Sequence, residues 1–185
     1  MGFGDKWRSW MKCCVELVRF SILVNGSSTC YFKSKKGIRQ GDHLSPFLFL
    51  LVGEALSYMI KQAQEQGLIS GFQVAANGTS VSHMQFADDT LIFLDADMDQ
   101  IKNLRLLILS FEQLTGLKIN FAKSAIYGVG YDGDIEQFSS FLGCYTGVLP
   151  TTYLGLPLGD KSGGYLKWDK VIESLKSWQV GKRPF

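Results

Sequence analysis

Phe86-Ala87-Asp88-Asp89-Thr90-Leu91-Ile92-Phe93 sets two adjacent carboxylates between two apolar stretches. Met84-Gln85-Phe86-Ala87 on one side and Leu91-Ile92-Phe93-Leu94 on the other read as short β-strands, rich in residues that fit a pleated, half-buried surface. A β-turn between them carries Asp88 and Asp89 together to the tip of a hairpin. Such a pair on a rigid support suits a hard divalent cation such as Mg²⁺, which takes oxygen ligands and keeps other positions for water and phosphate. An isolated Asp-Asp is ordinarily no more than a solvated turn, so the surrounding sequence has to decide.

Upstream, Trp7, Trp10, Met11, Cys14, Leu17 and Val18 recur at helical spacing and predict an opening helix. Phe20-Ser21-Ile22-Leu23-Val24, a turn at Asn25-Gly26 and Thr29-Cys30-Tyr31-Phe32 predict a hairpin, followed by the basic loop Lys33-Ser34-Lys35-Lys36. Ser45 and Pro46 are the N-cap and first-turn pair of a helix over residues 47 to about 66 that stops at Gly67. Its first half is apolar all round, which predicts a central position. Residues 71–81 read as a hairpin about Asn77-Gly78.

Downstream, Asp97 and Gln100 form a capping-box pattern ahead of a helix with Ile101, Leu104, Leu107, Ile108, Phe111 and Leu114 on one face and a stop at Gly116. Strand-like segments at 117–120 and 124–129 precede a short helix capped by Asp134, which presents Ile135, Phe138, Phe141 and Leu142. A turn-rich stretch at 153–159 leads to an amphipathic helix using Trp168, Val171, Ile172, Leu175 and Trp178. Hairpin signals outnumber crossovers, and neither a repeat nor a low-complexity linker interrupts them. The expected fold is α+β with an antiparallel sheet.

The 185 residues make about one domain, and 46% hydrophobic with 19% charged residues is a globular composition. A net charge of +2 excludes a histone-like polybasic binder. Residues 1–40 nevertheless hold 8 basic and 2 acidic side chains, residues 41–160 hold 5 and 13, and residues 161–185 hold 6 and 2. Two basic flanks around an acidic centre could hold a polyanion near carboxylates that carry cations. Cys13, Cys14, Cys30 and Cys144 form no Cys-x-x-Cys pair and no ligand spacing with His43 or His83, which argues against structural zinc and for a reducing compartment. The opening Met1-Gly2-Phe3-Gly4-Asp5-Lys6-Trp7 has no secretory apolar region and does not fit a myristoylation signal. The longest apolar run, residues 47–52, is too short to span a bilayer. The expected location is intracellular, in nucleus or cytoplasm, with no membrane as partner.

Gly37-Ile38-Arg39-Gln40-Gly41-Asp42-His43-Leu44-Ser45-Pro46-Phe47-Leu48-Phe49, with the Asp88-Asp89 segment some forty residues later, resembles the reverse transcriptases of plant non-LTR (LINE-type) retrotransposons. Leu114-Thr115-Gly116-Leu117-Lys118-Ile119-Asn120-Phe121-Ala122-Lys123-Ser124 and Tyr153-Leu154-Gly155-Leu156-Pro157-Leu158-Gly159 look like the next two blocks of that family, in the same order. The resemblance implies a polymerase palm, an antiparallel sheet with helices on one face. It implies RNA-directed DNA synthesis on an RNA template and a DNA primer from dNTP, with Mg²⁺, or Mn²⁺ in its place, as cofactor. By the same resemblance Asp88 is a metal ligand and Asp89 a ligand or support. Arg39, Gln40 and Gly41 bind nucleotide and template, Lys123 is a general acid for pyrophosphate, and Leu154 and Gly155 position the primer side.

Two departures temper those implications. Family members carry a first motif, with an aspartate on a palm strand, upstream of residues like Met1-Gly2-Phe3-Gly4, and that motif and the fingers are expected to be missing. Residues 1–160 then correspond to the C-terminal part of the palm and 161–185 to the start of the thumb. Metal binding is expected to be weakened, and the isolated chain inactive unless a complementing polypeptide supplies the missing palm and fingers. His43 stands where the family has proline, which loosens the approach to the next helix but removes no charge. The alternatives are a noncatalytic nucleic-acid-binding module using Lys33, Lys35, Lys36, Arg39 and the basic C-terminal helix, or a nonfunctional retroelement remnant that folds poorly.

Overall fold

In the computed structural model, which describes residues 2–33, 39–74, 78–159, 169, 172 and 173, the helical spacing from Trp7 onward becomes α1 (Asp5–Glu16). None of its residues is buried. Its aromatics instead make local contacts: Phe3 stacks on Trp7 with ring centroids 3.9 Å apart, and the Lys6 ammonium lies 5.0 Å from the Trp10 ring. The hairpin that follows is split into two ladders. β1 (Arg19–Phe20) pairs with β4 (Phe32–Lys33), and β2 (Leu23–Val24) pairs with β3 (Ser27–Ser28), both antiparallel. Asn25 and Gly26 close the inner ladder with φ of 50° and 80°, the two left-handed positions of a type I′ turn. Between the ladders Thr29 N donates to Ile22 O at 2.9 Å, and the Thr29 hydroxyl adds to that bond by accepting from Ile22 N at 3.2 Å and donating to Ile22 O at 2.9 Å.

α2 (Leu44–Glu65) starts earlier than Ser45 and Pro46 suggest. The Asp42 carboxylate accepts from Leu44 N at 2.9 Å and so satisfies a donor of the first turn, while the Ser45 hydroxyl donates to Arg39 O at 2.6 Å. Nor is the first half of α2 central: Phe47 is 65% and Leu50 64% exposed, and the buried residues Leu56, Ile60 and Ala63 all lie in the second half. A helix that is apolar all round needs neighbours on every side to be central, whereas α2 buries only the Leu56, Ile60 and Ala63 face of its second half and leaves Tyr58 63% exposed. By length and composition α2 could also cross a membrane, with a mean hydropathy of 1.4 over 18 residues, although the core helix of a soluble protein meets the same test. The uninterrupted run 47–52 understates this helix because Gly53 and Glu54 interrupt it without lowering the mean enough.

The residues form two units, Met1–Ala55 and Leu56–Phe185. In the second, Gly67 terminates α2 two residues past Glu65, its φ of 71° letting Leu68 N reach Ala63 O at 2.9 Å. β5 (Phe72–Gln73) pairs with β6 (Ser80–Val81) as expected, with the turn residue Asn77 outside the described residues. β7 (His83–Phe86) and β8 (Asp89–Ile92) form a hairpin of four residue pairs. α3 (Met98–Thr115) is capped by the Asp97 carboxylate, which accepts from Asp99 N and Gln100 N. Gln100 does not complete a capping box. Its side-chain oxygen accepts from both the backbone N–H and the hydroxyl of Ser70, each at 3.0 Å, tying α3 to the chain that leaves α2.

β9 (Ala125–Ile126), α4 (Glu136–Leu142) and β10 (Tyr145–Thr146) form a short crossover, since the two strands run parallel. Ile101 of α3 packs with Phe138 and Leu142 of α4 in a buried cluster, lined by Leu94, Met98, Ile126, Tyr131, Ile135 and Cys144. Leu114 and Phe141, expected on buried faces, are 78% and 45% exposed. Leu114 sits in the last turn of α3, past the covered stretch, and Phe141 lies one step off the line that Phe138 and Leu142 define on a helix of seven residues. β11 (Thr151–Tyr153) and β12 (Leu156–Leu158) make the last hairpin. The fold is α+β, as expected. Among the described residues, though, its strands form six two-stranded ladders, five antiparallel and one parallel, not one continuous sheet. The C-terminal helix expected from Trp168 to Trp178 and the basic residues Lys35 and Lys36 lie outside the described residues.

Candidate active site

Pairing of Phe86 with Asp89 closes the β7–β8 ladder one residue sooner than the sequence suggests. The two-residue turn is therefore Ala87-Asp88, with Ala87 at φ 52°, and Asp89 is the first residue of β8. The carboxylates do not share the tip. Asp88 is in the turn and Asp89 is on the strand, both exposed. Antiparallel partners share a face and successive residues alternate. Asp89 accordingly shares one face with Phe86, Met84 and Leu91, while His83, Gln85, Thr90 and Ile92 form the other. The Asp89 face is open, with Met84 52% and Phe86 61% exposed. The opposite face is bound to α2: the Ser57 hydroxyl donates to Gln85 Oε1 at 3.0 Å and meets His83 Nε2 at 2.9 Å. His83 Nδ1 in turn lies 3.1 Å from the hydroxyl of the buried Ser82.

Exposed carboxylates on a braced hairpin suit a hard cation in donor chemistry, but two of them do not complete a site. Among the described residues no group of three or more His, Cys, Asp or Glu side chains converges to hold a metal. Asp88 and Asp89 fit such an ion as a partial shell only.

The other expected site residues lie on other elements. Arg39, Gln40 and Gly41, all exposed, form the turn into α2, where Gly41 takes φ of 77°. With Asp42, His43 and Phe49 they line an open concavity of about 680 Å³. The Ser45 hydroxyl holds this turn through Arg39 O, a role that its position before Pro46 does not suggest. Lys123 ends a single 3-10 turn, Phe121–Lys123, and is exposed. Leu154 and Gly155 are the two-residue turn between β11 and β12, with φ of 52° and 78°. Arg39, Gln40 and Gly41 belong to the first unit, and Asp88, Asp89, Lys123, Leu154 and Gly155 to the second. Among the described residues no hydrogen bond or ion pair joins Lys123, Leu154 or Gly155 to the aspartates.

Sequence reading missed the residues beneath the hairpin. The signal for Ser57 was a polar side chain beside the buried Leu56 and Ile60 of α2, and for His83 and Gln85 it was two polar residues two apart on a strand with a covered face. It also missed Glu112. This buried carboxylate accepts from Ile119 N at 2.7 Å and pairs with Lys118 at 3.3 Å. The Ile119 N–H holds its pKa below the ordinary value, against the opposing effect of burial, with help from Lys118.

With fold and site described, comparison with known proteins gives the class. Residues 2–158 match the reverse transcriptase (RNA-dependent DNA polymerase) family, and the chain belongs to it. Its relatives place it among the reverse transcriptases of non-LTR retrotransposons. It is 44% identical over 69 residues to an uncharacterized mitochondrial protein of Arabidopsis thaliana, covering 37% of this chain and 57% of that one. It is 30% identical over 129 residues to a retrovirus-related Pol polyprotein from the type-1 retrotransposable element R2 of Popillia japonica, covering 69% of this chain and 17% of the polyprotein. A second such polyprotein from the same organism is 25% identical over 124 residues, 67% of this chain and 19% of its own length. The chain thus spans little more than half of one relative and under a fifth of the other two. Reverse transcriptases generally use divalent metal ions and act on a nucleic-acid template and primer with dNTP.

Proposed function

We propose that this chain contributes the metal-binding hairpin of an RNA-directed DNA polymerase, with Asp88 and Asp89 as ligands for Mg²⁺ or Mn²⁺. The observation that carries the reading is the disposition of the hairpin, with one face braced on α2 and Asp89 on the open face beside Asp88 in the turn. A bound cation would neutralise phosphate charge there during nucleotidyl transfer to a primer 3′-hydroxyl. Around it, Arg39, Gln40 and Gly41 would approach nucleotide and RNA template, Lys123 would donate a proton to departing pyrophosphate, and Leu154 and Gly155 would line the path of the DNA primer. Residues 1–160 would be palm and 161–185 the start of a thumb, working inside the cell in nucleus or cytoplasm. Because two carboxylates make only part of a metal site, further ligands must come from another segment or a complementing polypeptide. The 185 residues alone are then expected not to extend a primer.

Paramagnetic broadening by Mn²⁺ tests the ligand assignment without requiring activity. Broadening is expected to centre on the amides of Asp88, Asp89 and Thr90 and to vanish in the Asp88→Asn, Asp89→Asn double variant. Broadening centred on Asp95, Asp97 and Asp99, or spread evenly over the surface, would refute it.

A further inference from the structure

Ser57, His83, Ser82 and Gln85 form a continuous polar chain under the hairpin that carries Asp88 and Asp89. Ser57 has a single hydroxyl proton. Given to Gln85 Oε1, it leaves Ser57 Oγ to accept from His83 Nε2–H, and His83 Nδ1 then receives the hydroxyl proton of buried Ser82. In this arrangement each of these contacts pairs a donor with an acceptor, as a polar chain in a partly buried place requires. Geometrically, the two bonds from Ser57 reach residues 83 and 85, successive members of one strand face, and so define that face and not just one point on it. With His83 and Gln85 turned toward α2, the pleat turns Phe86 and Asp89 away from it.

We propose that Ser57 and His83 are positioning residues for the Asp88-Asp89 hairpin. They lock its inner face onto α2 and thereby fix the direction in which Asp89 presents its carboxylate. The role rests on the reading of Asp88 and Asp89 as cation ligands, and acts through the hairpin and not by contact with the ion. Groups behind the ligands commonly set ligand orientation, and their loss weakens metal binding even though the ligands remain.

Two readouts on the full 185-residue protein separate this role from the ligand assignment. In the absence of metal, Ser57→Ala is expected to speed amide exchange in the β7–β8 ladder about tenfold with α3 unchanged, since one hydrogen-bonded anchor is lost. Ser57→Thr, which keeps the hydroxyl, should stay within about twofold of the parent, and ¹⁵N shifts of the His83 ring should report the Nε2–H form in both. In Mn²⁺ titrations read at Asp88 and Asp89, Ser57→Ala should weaken binding about tenfold and Ser57→Thr should restore it. Ladder exchange unchanged in Ser57→Ala overturns the positioning role, whether or not Mn²⁺ binds. Unchanged Mn²⁺ affinity in Ser57→Ala, where the parent binds at the hairpin, overturns it too. Absence of Mn²⁺ from the parent hairpin refutes the ligand assignment, and the exchange data alone then judge the bracing. Should Ser57→Ala loosen α3 as well, His83→Ala decides: it removes the anchor on the strand and leaves α2 unchanged in sequence, and ladder exchange within about twofold of the parent overturns the proposal.

Discussion

Of the described hairpins that close through two-residue turns, β2–β3 and β7–β8 are stabilised in opposite ways. Between β2 and β3 the turn residues are Asn25 and Gly26, the pair that tolerates left-handed φ best, and the flanking Leu23 and Val24 are 71% and 53% exposed. Between β7 and β8 the first turn residue is Ala87, whose Cβ disfavours its φ of 52°. That ladder is twice as long, four pairs against two, and one of its faces is bonded to α2. Where turn and backbone agree, the hairpin needs little tertiary support. Where they disagree, the ladder and α2 impose the conformation, and that is where Asp88 and Asp89 stand. Strain held by its surroundings commonly marks positions with a task beyond folding.

The strongest test of that contrast removes core support from one unit and strand surface from the other. Ile60 is fully buried on α2, one turn from Ser57, so Ile60→Ala should cost about 2–5 kcal/mol in urea denaturation. Leu23→Ala, in the exposed hairpin, should change stability by no more than about 0.5 kcal/mol. Similar costs at the two positions would break the distinction.

Exchanging the turn chemistry sharpens it. Ala87→Gly should stabilise the β7–β8 hairpin by about 1 kcal/mol, because glycine takes positive φ without a Cβ penalty. Gly26→Ala should destabilise β2–β3 by about 1 kcal/mol for the mirrored reason. A Cβ at Gly26 would meet no atom within 4 Å, so its cost would come from φ alone. Amide exchange of the two ladders measures both. Effects of the same sign would show that φ at Ala87 is not a source of strain.

The same contrast explains what could be read from sequence. Asn25-Gly26, the Asp97 cap and, Leu114 and Phe141 apart, the apolar faces of α3 and α4 are local patterns with local causes, and they fold where the sequence puts them. The aspartate hairpin was legible as a hairpin, but its register was not, because Phe86–Asp89 pairing depends on how the inner face meets α2. The caps went wrong where a distant partner competed: Ser45 turned to Arg39 O, and Gln100 turned to Ser70. The division of the described strands into two-stranded ladders was not legible for a related reason, since pairing between strands is set by contacts that no local period records. Likewise the partial metal shell follows from spatial convergence and not from the Asp-Asp dipeptide, which looks the same whether or not a third ligand is near.

Glu112 offers the smallest and most local test, because here too one tertiary anchor holds a segment that has no turn chemistry of its own. Its carboxylate accepts from Ile119 N, and that bond exists fully only while the group is ionised. The folded pKa lies below the ordinary 4.5, so the contribution is complete above that value and is lost as pH falls through the lower folded value. Amide exchange at Ile119, corrected for its intrinsic pH dependence, should accelerate below about pH 4.5 while the β2–β3 ladder, which contains no carboxylate, shows no such inflection. Glu112→Gln should remove the inflection and leave Ile119 exchanging faster at all pH values, because a neutral amide oxygen is a weaker acceptor than a carboxylate. An inflection that survives in Glu112→Gln would assign the anchoring of residues 117–119 to another group. It would also remove Glu112 from the side chains that do for this segment what Ser57 does for the aspartate hairpin.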